Sequence, residues 1–201
     1  MSSVGSVLDV GGQNASTVKL VSEVLHKCDL PALIIDLNSA TPALTHFQPN
    51  IKYAVGDAYL FFSSDQYHGA VRDVINDAPT LVLFNNLLNV LKAKDGWRAL
   101  QAAWSRLRPG DYLFISGLVP EQLEQHGMKK QHELDGIIEF HHRQTQKFYK
   151  SALSPGFSDF LETKLKGSAV LIKETFTHTV EAKRSELLDV HGYRLLASRK
   201  I

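Results

Sequence analysis

The chain has 201 residues, 44% hydrophobic and 21% charged, which suits one domain with a sizeable core and leaves a second independent core cramped. Its 22 basic and 21 acidic residues form no dense basic run, so it carries no clear nucleic-acid signature, and no apolar run approaches the roughly 20 residues that cross a bilayer. A single cysteine, Cys28, rules out an internal disulfide and Cys-rich metal motifs; with no basic stretch ahead of the apolar run in MSSVGSVLDV, a cytoplasmic location is expected.

Short apolar runs alternate with helical patterns along the first half of the chain, the pattern of a mostly parallel sheet covered on both faces. Val4 to Val10 is predicted as the first strand, ending at Gly11-Gly12. Ser16 to Cys28 follows as a helix, with Val18, Val21, Val24 and Leu25 along one stripe. Ala32 to Asp36 is a buried second strand, Ile51 to Val55 a short third, and Tyr67 to Asn76 a helix. Thr80 to Phe84 is the fourth strand, Gly96 to Leu107 a helix, and Pro109-Gly110 turns the chain into the fifth strand, Tyr112 to Ser116. Right-handed crossovers make this a doubly wound α/β sheet.

Beyond Gly117 the alternation loosens. Residues 118–168 contain no clear strand and read as a helical insertion, with a polar helix over Pro120 to Tyr149. Ala169 to Phe176 reads as a strand, Val180 to Val190 as a helix capped by Thr179, and Tyr193 to Ala197 as a last strand. The expected organisation is thus one domain: a ligand-binding half over 1–117, an insertion over 118–168 and a strand-helix-strand over 169–201. The apolar C-terminal section offers a face for a homo-oligomer.

Chemistry concentrates at the strand ends. A strand that runs into Gly11-Gly12 and then a helix presents backbone N–H groups to a ligand at the carboxyl edge of the sheet, and glycine permits close approach. Asp36 ends the second strand, placed to accept hydrogen bonds from both ribose hydroxyls of an adenosine cofactor. Gly56-Asp57 follows the third strand, where a carboxylate meets an adenine amino group. Each aspartate alone is as readily a cap or turn residue; three such endings on successive strands point to one crevice.

Over Val7 to Ser116 the sequence resembles the class I S-adenosylmethionine-dependent methyltransferases, and more narrowly the small-molecule O-methyltransferases whose first loop reads D-V-G-G-G-x-G. The match runs through Asp9-Val10-Gly11-Gly12, Asp36-Leu37 and Gly56-Asp57. Leu107-Arg108-Pro109-Gly110-Asp111-Tyr112-Leu113-Phe114-Ile115 is similar to the family's L-K-P-G-G-x-L signature and its two apolar residues. Leu83 to Leu91 sits where the family carries its fourth-strand motif. The resemblance implies S-adenosyl-L-methionine as cofactor, held by Asp9, Gly11, Gly12, Gln13, Asp36, Leu37, Asp57, Ala58, Asn85 and Asn86. It implies methyl transfer to a small-molecule or peptide-like substrate.

There are departures. Gln13 and Ala15 replace the later glycines of the first loop. Asn89 aligns with the family's histidine base and cannot accept a proton at neutral pH, so the catalytic residues stay unassigned. The Asn/Asp-Pro-Pro-aromatic signature of base-methylating enzymes is absent. The family usually places helices ahead of the first strand as a lid; with the first strand predicted from Val4, residues 118–168 are the expected substitute. His126, His132, His141 and His142 fall there at spacings that form no recognised metal-ligand set; Tyr149, His141 and His142 are candidate substrate contacts. Two alternatives stay open: a methyltransferase-like binding or assembly module without catalysis, and a nicotinamide-dependent Rossmann enzyme, against which the incomplete G-x-G-x-x-G speaks.

Overall fold

A computed structural model describes residues 3–12, 15–37, 50–142, 149–181 and 187–200. Five parallel strands form the first part of the sheet: β1 (Ser6–Val10), β2 (Ala32–Asp36), β3 (Ile51–Val55), β4 (Thr80–Asn85) and β5 (Tyr112–Leu118). Two long strands complete it, β9 (Ser168–Glu181) and β10 (Leu187–Arg199), in the order β3-β2-β1-β4-β5-β10-β9. Strand β10 is antiparallel to both neighbours. This is the doubly wound α/β sheet expected from the alternation.

Successive side chains of β1 feed opposite cores, as the two-residue period of a strand demands. Leu8 and Val10 join Leu33, Ile35, Val82 and Phe84 on one face. That face is covered by α2 (Ala58–Ser63), α3 (Gln66–Val71), α4 (Ala93–Arg106) and α6 (Phe157–Lys164). Val7 joins Ile34, Leu81 and Leu83 on the other, where α1 (Ser16–Val24) supplies Val18. Helix α1 stops short of Cys28 because His26 takes a left-handed φ of 53° and turns the chain toward Pro31. The helix expected over 67–76 is shorter and preceded by α2, since Asp57 caps the chain as soon as it leaves β3.

Two expectations fail. The insertion at 118–168 is not a helical lid. After the short α5 (Pro120–Gln125) it forms a three-stranded antiparallel sheet, β6 (Met128–Leu134), β7 (Ile137–His142) and β8 (Tyr149–Leu153), and then α6. Ile137 and Leu153 are buried in the core of the main sheet, while Phe140 and Ala152, on the opposite face, are buried with Leu123, Met128 and Ile138, so β7 and β8 bury apolar residues on both faces. Glu139 Oε1 accepts the Ala93 N–H at 2.7 Å and caps α4. Trp97 Nε1 donates to the Leu134 carbonyl at 3.2 Å, and Ser151 Oγ to that of Leu91 at 2.8 Å. Of the helix expected over 180–190, residues 182–186 lie outside the described ones, and its two ends belong instead to the antiparallel strands β9 and β10. The run Thr175-Phe176-Thr177-His178-Thr179-Val180 is rich in β-branched and aromatic residues, which fit a pleated surface.

Candidate functional site

The carboxyl ends of β1 to β4 open into a cavity of about 400 Å³. Gly11, Asp36, Leu37, Asp57, Ala58, Asn85 and Asn86 line it, with Val10, Tyr59 and Arg98 among its other walls. Seven of the ten residues expected from sequence therefore meet in one place. Asp9 and Gly12 are not among its walls, and Gln13 lies outside the described residues.

Local backbone explains the loop. Gly11 has φ +80°, and a Cβ there would come within 3.0 Å of Leu87 Cδ1. A Cβ on Gly12 would stand 2.2 Å from Asp9 Oδ2, so this glycine makes room for a buried carboxylate. Ala15, where the resemblance puts a glycine, has φ 59° and ψ 2° and caps α1 without a side-chain bond. A left-handed alanine costs about 1–2 kcal/mol. Ala15 therefore holds a left-handed conformation that a glycine would adopt without this strain.

Asp9 is fully buried, and among the described residues neither carboxylate oxygen has a hydrogen-bond partner. Burial, and then repulsion from Asp36, pushes its carboxyl up from 3.8 to about 7. The Tyr53 hydroxyl is also buried and without a partner among the described residues, and its pKa is raised by burial and then by the Asp9 charge. An orphaned acid beside a second acid is a place where a cationic group is favoured.

Asp57 divides its carboxylate: Oδ1 accepts the Leu60 N–H at 3.0 Å, capping α2. Nearby, the Arg98 guanidinium lies 4.1 Å from the centre of the Tyr59 ring, and its hydrogen bond holds the Tyr59 hydroxyl pKa below the ordinary range. Arg98 and Tyr59 were not singled out from the sequence. Helical spacing on α4 and a place just after Asp57 are their only signals.

At the other end of the cavity, neutral groups are tied to one another. Asn85 Nδ2 donates to Thr17 Oγ1 at 3.2 Å, and Ser116 Oγ donates to Asn85 Oδ1 at 2.6 Å. Asn86 sits in the left-handed region at φ 58°, a sparsely populated conformation for a non-glycine residue. Asn89 is buried and committed at both ends: Nδ2 donates to Asn86 Oδ1 at 3.2 Å, and Oδ1 accepts the Leu118 N–H at 3.0 Å. In this chain the position of the family's histidine base is a structural tie.

The histidines of the insertion are scattered. His126 meets Gln122 at the end of α5, His132 is exposed on β6, and His141 lies on β7. The side chains of His142 and Tyr149 lie outside the described ones. Among the described residues, no group of three His, Cys, Asp or Glu side chains is arranged to hold a metal ion. None of their helices is long and apolar enough to cross a membrane.

No protein-family model matches the chain, and no curated protein matches it in sequence. Solved structures do match in fold. A SAM-dependent methyltransferase from Methanosarcina mazei aligns with a TM-score of 0.64 and 16% identity, over 100% of this chain and 95% of the other. The 1,6-didemethyltoxoflavin-N1-methyltransferase of Burkholderia thailandensis, solved with S-adenosylhomocysteine, aligns at 0.57 and 10% identity, over 98% of this chain and 72% of the other. An N-methyltransferase from Bradyrhizobium japonicum, also with S-adenosylhomocysteine, aligns at 0.54 and 12% identity, over 98% and 80%.

Proposed function

The chain has the fold of the SAM-dependent methyltransferases, and we propose that its carboxyl-edge cavity binds S-adenosyl-L-methionine for methyl transfer to a small-molecule or peptide-like acceptor. The observation that carries this reading is the convergence of Gly11, Asp36 and Asp57, from three successive strand ends, on one cavity. The residues fit the group. Asp36 would take the ribose hydroxyls, and the Asp57 oxygen not used to cap α2 would accept from the adenine amino group. Leu37, 68% exposed at the rim, and Ala58 would flank the base. Gly11 leaves the space of a missing Cβ, and the buried Asp9 carboxyl behind it favours positive charge. Bound there, the cofactor supplies an electrophilic methyl on a sulfonium; the protein's work is alignment and exclusion of water.

The Asn85, Asn86 and Ser116 end of the cavity would position the acceptor. Asn89 holds no proton-accepting capacity to spare, so an acceptor that is already a nucleophile (an amine, thiol, acidic hydroxyl or carboxylate) suits this wall. That same tie favours one second reading, a domain that binds the cofactor without turning it over. Calorimetric titration with S-adenosylmethionine, S-adenosylhomocysteine and NAD tests the cofactor assignment. Formation of S-adenosylhomocysteine from S-adenosylmethionine in the presence of amine, thiol or carboxylate acceptors separates turnover from binding alone. The proposal expects the first two to bind, NAD not to, and turnover to occur. Tight NAD binding with no response to either sulfur compound would overturn it.

A further inference from the structure

Among the described residues, the wall of the carboxyl-edge cavity holds three carboxylates, Asp36, Asp57 and Asp95, and one cation, Arg98. The cofactor proposed for this cavity is itself positive at its sulfonium and its ammonium, and like charges at close quarters repel. The position of Arg98 removes the conflict. Strand order runs β3-β2-β1-β4, so Asp57 and Asp36 mark one end of the cavity and Gly11 and Asn85 the other. Arg98 belongs to the first end, where the uncharged nucleobase lies: its guanidinium is 4.1 Å from the centre of the ring of Tyr59, two residues after Asp57.

Helix periodicity brings it there, since Asp95, Arg98 and Ala99 follow the three- and four-residue spacing of one face of α4, and all three line the cavity. The Arg98 side chain is 48% exposed. The Tyr59 hydroxyl accepts a hydrogen bond from it, while Asp95 Oδ1 stands 3.8 Å away, too far for another. A guanidinium carries five N–H donors in a planar fork, so donors remain for a ligand. Asp57 is complementary. One of its oxygens caps α2 and the other is an acceptor, and its charge is among those that raise the Arg98 pKa after the Tyr59 bond, which puts the two groups within electrostatic reach. Adenine carries an amino donor flanked by ring nitrogens that only accept. An acceptor and a donor on one stretch of wall match such an edge.

We infer that Arg98 is a specificity-determining residue that reads the nucleobase, donating to a ring nitrogen beside the amino group that Asp57 accepts; this rests on the methyltransferase reading. Stacking on Tyr59 holds the guanidinium plane, so little freedom is lost when the bond forms. A base without that nitrogen leaves a charged donor unpaired against it, and this is what discriminates. Asp57 alone would ask only for an amino group. The pair asks for an amino group and its neighbouring acceptor together.

The test is calorimetry of the full chain with S-adenosylhomocysteine and with its 1-deaza and 7-deaza adenine analogues, each lacking one of the ring nitrogens beside the amino group. At least one analogue should bind the wild type about tenfold more weakly than S-adenosylhomocysteine does. Arg98→Met keeps an apolar stem on Tyr59 and removes the donors. It should weaken S-adenosylhomocysteine about tenfold, yet bind the sensitive analogue no more weakly than the wild type does. Its melting temperature should stay close to that of the wild type, because the side chain is half-exposed. The inference is overturned if the wild type binds both analogues as tightly as S-adenosylhomocysteine, or if Arg98→Met keeps full affinity. It is also overturned if the variant weakens all three ligands by the same factor, which would make Arg98 a structural tie. A wild type that binds no S-adenosylhomocysteine would instead remove the methyltransferase reading on which the assignment rests.

Discussion

Two aspartates, one at each end of the parallel sheet, are buried to nearly the same degree and are treated in opposite ways. Asp111, at the amino edge, is 3% exposed. Its Oδ1 accepts the Thr80 N–H at 2.7 Å and its Oδ2 the Arg108 N–H at 2.6 Å, and the Arg108 guanidinium lies 3.4 Å away. It ties the starts of β4 and β5 together. Asp9, near the carboxyl edge, is 0% exposed and has no hydrogen-bond partner among the described residues. A satisfied buried acid stabilises a fold. An orphaned one costs stability that nothing in the described fold repays, which is the expected signature of a group kept for a ligand.

The largest effect should come from breaking the satisfied end. Asp111→Ala orphans two buried N–H groups and should destabilise the fold by about 4 kcal/mol. If the fold survives, its affinity for S-adenosylhomocysteine should be unchanged, because the site is at the opposite edge. Urea denaturation and calorimetry together read both parts, and a large loss of affinity without loss of stability would reverse the assignment of the two ends.

Asp9 makes the opposite prediction. Its folded pKa of about 7 lies above its ordinary 3.8, so between these values the folded state holds a proton that the unfolded chain has released. Stability should therefore fall as pH rises from about 4 to about 7 and level off above. Asp9→Asn should remove this slope and stabilise the free protein by about 2 kcal/mol at pH 8, less than the full linkage because a buried amide is also unpartnered. A ligand ammonium favours the ionised acid, so cofactor affinity should tighten as pH rises through about 7 in the wild type and flatten in the variant. A wild-type stability that rises over this interval would contradict the picture of an orphaned acid.

The smallest effect sharpens the same comparison from the loop. Ala15→Gly relieves a left-handed alanine while adding freedom to the unfolded chain, for a net gain of about 0.5–1 kcal/mol. Thermal unfolding should move upward by a few degrees, and a fall would mean that Ala15 earns its place through packing against Val18.

How much of this was legible in sequence follows from which forces write clearly into it. Strands buried on both faces read as apolar runs, so Val7–Val10, Ala32–Asp36 and Thr80–Phe84 stood out, and their terminal residues carried the candidate site with them. The insertion did not. Its first strand, Met-Lys-Lys-Gln-His-Glu-Leu, is an edge strand whose middle is exposed throughout, so it has no two-residue alternation and reads as a polar helix. Its anchors, such as Glu139 on the N-terminus of α4, depend on contacts 46 residues apart. The far ends of β9 and β10 were missed because Thr179 reads as a helix cap, whereas it pairs with Asp189 across the two strands. The Leu107–Ile115 signature was read correctly as a landmark, but its Asp111 does structural work at the amino edge, far from the cavity.

The most direct test of the account is calorimetric titration of S-adenosylhomocysteine into the wild type and Asp36→Ala. Losing the paired hydrogen bonds from one carboxylate should cost about 1.5–3 kcal/mol of binding, roughly tenfold or more in affinity. The melting temperature should hardly move, since Asp36 ends its strand at the cavity rim. One-to-one binding by the wild type, weakened to that extent by the substitution, is the predicted result. Equal affinity in the two proteins, or no binding in either, would contradict the claim that this edge of the sheet is a cofactor site.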